Sequence, residues 1–118
     1  MIYKTKVFAR LAKRLGITDT MLCAAAAGVG TTSDLGRSLF KVRINLNNDR
    51  AIYAAKQGHH TFFLFCYEKS AMENVPPTQE LMLAKQGAVL LAYAQEQLDN
   101  AVSKEEIQEV ECPNTTNA

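Results

Sequence analysis

Apolar and polar positions recur along this chain with changing periods, and each change of period marks a new element. Over residues 4–15 the spacing is three to four: Val7, Phe8, Leu11, Ala12 and Leu15 fall on one side, and Lys6, Arg10, Lys13 and Arg14 on another. That pattern predicts an amphipathic helix stopped by Gly16, which suits a left-handed cap. A second helix is expected from Thr18 or Asp19 through Met21, Leu22 and the alanines at 24–27, pairing with the first as a hairpin. Residues 29–36 read as a loop.

From Leu39 the period falls to two. Phe40, Val42, Ile44 and Leu46 face one way and Lys41, Arg43 and Asn45 the other, predicting a half-buried strand with a basic face. Asn47, Asn48 and Asp49 are turn formers. Residues 50–56 then read as a second strand, and residues 61–67, apolar on both faces, as a central third. Such short connections imply an antiparallel meander, to which Ile2 and Tyr3 can add an edge strand. Beyond Pro76 and Pro77, with Thr78 as cap, Leu81, Ala84, Ala88, Leu91 and Leu98 share a stripe that predicts one long helix. The fold class is therefore α+β: a helical hairpin on a small three- to four-stranded antiparallel sheet, then a long C-terminal helix. Residues 1–100 form the single domain, and 101–118 an acidic and polar tail with no more than a frayed helical turn.

The length of 118 residues, with 47% hydrophobic and 21% charged, fits one globular domain. The longest apolar runs, at 21–27 and 88–94, are too short to span a bilayer, so no membrane partner is expected. Three cysteines without a CxxC spacing read as separate reduced thiols of a cytoplasmic protein. Gly28–Val29–Gly30 follows a helix and lacks the Gly-Lys-Ser/Thr and strand–turn–helix context of a phosphate loop, and His59 and His60 lack a third ligand, so no cofactor or metal is expected. The Asn114–Thr115–Thr116 acceptor is a chance match in a chain with no signal peptide.

Charge changes the picture. Residues 1–46 hold eight cations against two acids, giving +6, and residues 47–118 hold five against ten, giving −5. The split suggests a part that faces a polyanion, and a tail that can fold over it as a brake. No Ser/His/Asp or Cys/His set is present, nor a pair of carboxylates on strands. What the strands offer instead is Lys41 and Arg43 on one face, Arg50 just across the turn, and Lys69 closing the third strand. Cations so grouped repel one another unless an anion such as a phosphodiester sits among them.

The opening MIYKTKVFARLAKRLGITDTMLCAAAA, the segment DLGRSLFKVRI, the RAIY strand and FFLFCYEKSAMENV resemble the RelE/HigB-like toxins of bacterial toxin–antitoxin modules over residues 1–98. The resemblance implies a toxin that cleaves messenger RNA, often on the ribosome, by metal-independent attack of the substrate's own 2′-hydroxyl on phosphorus. It also implies an antitoxin partner with a helix-turn-helix DNA-binding domain. By the same resemblance, Lys41, Arg43, Arg50 and Lys69 match the catalytic cations. Lys6, Arg10, Lys13 and Arg14 would add a second RNA-binding surface, and Tyr67 could stack on a base. The chain departs from the family in having Asn47–Asn48–Asp49 where relatives carry a Gly/Lys-rich loop, and Ser70–Ala71–Met72 where they carry Asn-Glu-Arg. Those departures favour an alternative, a non-catalytic binder on the same fold: a degenerate toxin that still binds an antitoxin, or a ParE-like topoisomerase inhibitor.

Overall fold

The computed structural model describes residues 1–45 and 49–113. The Leu46 strand position, the Asn47–Asn48 turn and the Asn114 acceptor lie outside that range. Strand β1 (Ile2–Thr5) runs directly into helix α1 (Lys6–Leu15). Thr5 makes the junction: its hydroxyl accepts from the Phe8 amide at 3.1 Å and donates to the Leu64 carbonyl at 3.4 Å, so one buried side chain caps the helix and ties it to the sheet. Gly16, at φ 73°, ends α1 in the left-handed conformation that a side chain would oppose. Helix α2 (Asp19–Ala26) starts under a Thr18 cap.

The chain then forms β2 (Thr32–Gly36), β3 (Leu39–Arg43), β4 (Asp49–Ala54) and β5 (Thr61–Glu68). Helices α3 (Pro77–Leu91) and α4 (Gln95–Ser103) and a last strand, β6 (Ile107–Val110), complete the fold. The six strands make one mixed sheet in the order β2-β3-β4-β5-β1-β6. The β3-β4-β5 meander is antiparallel as the alternation implies. β1, however, lies inside the sheet, parallel to β5 on one side and antiparallel to β6 on the other.

Each face of the sheet carries its own core. Phe8, Ala12, Ile17, Leu22 and Ala25 of the first two helices meet Val42, Ala51, Phe63, Cys66 and Val110. On the opposite face, Leu83, Ala84, Leu90, Leu98 and Ala101 of the last two helices meet Leu39, Ile52, Ala54, Phe62, Leu64 and Ile107. Phe62 and Phe63 point to opposite faces, which is why the third predicted strand has no polar side.

Several expectations are corrected. The sheet has six strands rather than three or four, because residues 32–36, read as a loop, pair with β3 as a polar edge strand. α1 and α2 lean on the sheet more than on each other, so the hairpin is loose. The single long C-terminal helix is two helices. The Gln97 side chain accepts from the Ala94 amide at 2.7 Å, capping a fresh helix that turns Leu98 and Ala101 back onto the sheet. α3 begins at Pro77 without a side-chain cap, so Thr78 does not serve as one. The tail is folded through Val110, since Ile107 and Val110 are apolar enough to seat β6 beside β1. Finally, the cysteines are not three separate thiols: Cys23 and Cys112 form a disulfide, and Cys66 alone is free and buried. Among the described residues, no helix is long and apolar enough to cross a membrane.

Candidate functional site

Strand alternation puts Lys41 and Arg43 of β3 on the same face as Leu39, and Arg50 of β4 on the same face as Ile52, which is the face α3 covers. α3 packs over the Leu39–Ala54 end of that face and leaves the other end to the cations. There Arg43 lies directly opposite Arg50, and Arg50 directly opposite Tyr67, in one row across three strands. Adjacent strands are roughly 4.8 Å apart, so two guanidiniums rise from neighbouring positions. Lys41 sits one row inward, and its ammonium donates to the Asn74 side-chain carbonyl at 3.1 Å. Asn74 belongs to the segment that leads into α3 and borders the site.

Three of the four cations therefore share one face at one end of the sheet. Lys69 does not join the row; it lies in the turn after β5, exposed. Lys41, Arg43 and Lys69 make no ion pair among the described residues, where the one salt bridge is Lys4–Asp19 at 2.7 Å. Arg50 also reaches back, Nη1 to the Asp49 carbonyl at 3.5 Å.

Asp49, which reads as turn chemistry in the sequence, is 3% exposed. Its carboxylate accepts from the Asn45 side-chain amide, and its own amide donates to the Asn45 side-chain oxygen at 3.1 Å. This reciprocal clamp closes the ends of β3 and β4, on the face opposite Arg50, and so holds the Arg43–Arg50 register. Its only sequence signal was an Asn and an Asp four apart around a turn.

Tyr67 is 6% exposed, with its ring 5.9 Å from that of Phe65 and packed in the α3-side core. In this conformation the ring serves the core and is closed to a stacking base. Its hydroxyl is buried without a hydrogen-bond partner among the described residues. Burial pushes the phenol pKa up, and the Arg50 charge opposes the shift.

Lys6, Arg10, Lys13 and Arg14 are all exposed and form a stripe along α1. Because α1 packs on the other side of the sheet, Phe8 against Phe63 at 5.4 Å, this stripe backs the Lys41–Arg43–Arg50 face instead of extending it. The acidic brake is also displaced. Glu109 lies on β6, separated from β3 by three strands, with Glu111 just past it. That is roughly 19 Å at ordinary strand spacing, too far for these two carboxylates to cover Lys41 and Arg43, although Glu106 meets the start of α1 through the Lys6 amide at 3.1 Å.

The family model describing the RelE toxin of the RelE/RelB toxin–antitoxin system matches residues 1–110. No curated protein and no solved structure matches the chain significantly. The matched region ends at Val110, the last residue of β6, so it takes in the six strands and four helices of the described residues. Membership implies an antitoxin partner. On this match over nearly its whole length, the chain belongs to the RelE toxin family.

Proposed function

We propose that the chain is the toxin of a toxin–antitoxin pair and cleaves messenger RNA through the Lys41–Arg43–Arg50 face. The observation that carries this reading is the placement of Arg43 directly opposite Arg50, with Lys41 on the same face. Two guanidiniums at neighbouring positions repel each other, and a bridging phosphodiester relieves that repulsion while accepting bidentate hydrogen bonds. In the reaction, the substrate's 2′-hydroxyl gives its proton to water as its oxygen attacks the adjacent phosphorus, and the bond to the 5′-oxygen of the next nucleotide breaks, leaving a 2′,3′-cyclic phosphate and a 5′-hydroxyl that takes its proton from water. Arg43 and Arg50 neutralise charge as it develops on the non-bridging oxygens. Lys41, held by Asn74, orients the backbone. Lys69 would meet the RNA only beyond the strand end. The α1 stripe would give the strand or the ribosome a second electrostatic contact on the far side of the molecule.

Purified protein incubated with translating ribosomes should cut the message, and Lys41→Ala with Arg50→Ala should abolish cutting while the circular dichroism spectrum is unchanged. Intact message with the wild type would refute the enzymatic reading. A binder that acts without catalysis is favoured by one observation, the overall charge of only +1, low for a protein that grips RNA. Such a protein would hold its antitoxin and leave RNA intact, or provoke DNA damage where the target is a topoisomerase.

A further inference from the structure

We propose that Cys23 and Cys112 form a thiol–disulfide exchange site that latches the end of β6 to α2. The latch is closed by oxidised low-molecular-weight disulfides and opened by the corresponding thiols. The proposal is independent of the nuclease reading.

The two ends of β6 are held differently. At its start, the Lys6 amide donates to the Glu106 carbonyl, the Glu106 amide donates to the Ala101 carbonyl, and Ile107 is buried in the core that α4 completes. At its far end, Val110 crosses to the α1–α2 core, and two residues later the Cys112 sulfur binds Cys23 on α2. β6 has only four residues, with Gln108 and Glu109 exposed. The covalent bond therefore adds a second hold on the end of β6, beyond the β1 ladder and the burial of Val110, and it joins the stretch just past the fold's last strand to a helix 89 positions earlier.

The bond is open to exchange. Cys112 is exposed, Cys23 is half-buried, and a groove of about 590 Å³ lined by Met1, Thr20, Ala27, His59 and Pro113 runs beside them. No third sulfur competes. Cys66 is buried on β5, and burial with the nearby Asp49 charge pushes its thiol up to about 12, so it supplies no thiolate. A small thiolate attacks the Cys112 sulfur, the Cys23–Cys112 bond breaks, and Cys23 leaves as a thiolate that takes a proton from water. A second thiol then attacks the mixed disulfide and releases Cys112. In sum, one protein disulfide and two small thiols give a protein dithiol and one small disulfide. Opening lets Val110 leave its seat and uncovers the outer edge of β1, whose amides and carbonyls β6 otherwise occupies.

Full-length protein equilibrated with oxidised glutathione should lose two surface thiols and two mass units, with Cys66 becoming alkylatable only on denaturation. Reduction should then speed amide exchange at Glu109 and Val110 by about tenfold or more, fading toward Ile107, while β5 amides keep their protection. Cys112→Ser and Cys23→Ser should exchange fast at β6 in both conditions. Equal protection with the bond made and broken would overturn the latch, as would failure of the two cysteines to pair. Loss of β5 protection together with β6 would also overturn it, since the bond would then be a staple of the whole fold.

Discussion

Gly87→Ala isolates the packing of α3 on the sheet. Gly87 is buried in the helix, where its missing side chain faces Ala54 on β4. A Cβ built there would stand 2.7 Å from the Ala54 Cβ and 3.5 Å from the Leu64 Cδ1. Carbon atoms rest at about 3.5–4.0 Å, so the first contact is short by roughly 1 Å. The obstacle is a Cβ on an interior strand of the sheet, which cannot swing aside as the end of a long side chain would. Helix propensity alone favours alanine by about 1 kcal/mol, while overpacking of a fitted core costs about 1–3 kcal/mol. With a rigid obstacle the upper part of that range applies, leaving a net loss of about 1–2 kcal/mol. Unfolding entropy near 2.1 cal/mol/K per residue over 118 residues gives about 0.25 kcal/mol/K, so Tm should fall by about 4–8 °C. Calorimetry of Gly87→Ala, Ala54→Gly and the double variant is the assay. The double variant should recover part of the loss, because Ala54→Gly makes room for the new methyl. A Gly87→Ala protein as stable as wild type, or more so, would refute the contact.

Three other perturbations test separate parts of the account. Thr5→Ala removes the cap of α1 and its bond to Leu64, and should cost about 1–2 kcal/mol in urea titration, whereas Thr18→Ala, on a more exposed helix start, should cost less. Cys66 is protonated in both folded and unfolded chains below pH 8. Above that the unfolded thiol ionises, while the folded one is held to about 12, so stability should fall by about 1.5–2 kcal/mol between pH 8 and 10. Cys66→Ala should flatten that slope even if it lowers stability overall; an equally steep slope in the variant would assign the effect elsewhere. Arg10→Ala with Arg14→Ala should reduce the dependence of single-stranded RNA affinity on log salt by about 1.4, at about 0.7 per phosphate contact, and an unchanged slope would remove α1 from the RNA interface.

How much of the candidate site was legible follows from the range of each signal. The alternation of Phe40, Val42 and Ile44 with Lys41 and Arg43 is local, and it placed the cations on one strand face without any tertiary knowledge. Arg50 could be added because a short turn fixes which residues of two strands meet. Lys69 lies in a turn past the end of β5, where strand geometry no longer governs position, so alternation could not place it in the row. The burial of Tyr67 could not be read locally, because alternation says which face a ring takes and not what else covers that face. Asp49 escaped because a polar residue in a turn and one clamped beneath a sheet look alike in one dimension.

For the fold, the amphipathic spacing of α1, the meander of β3, β4 and β5 and the apolar character of β5 were written into the chain, since each follows from the repeat of its own backbone. The place of β1 between β5 and β6, the break at Ala92–Ala94, and the pairing of Cys23 with Cys112 were not. Each joins residues distant in sequence or answers to a neighbouring surface: β6 becomes a strand because β1 offers it an edge, and α4 turns because the sheet offers Leu98 and Ala101 a place to be buried. Local periodicity set α1 and the β3–β5 meander, and long-range burial decided the remaining elements and where all of them meet.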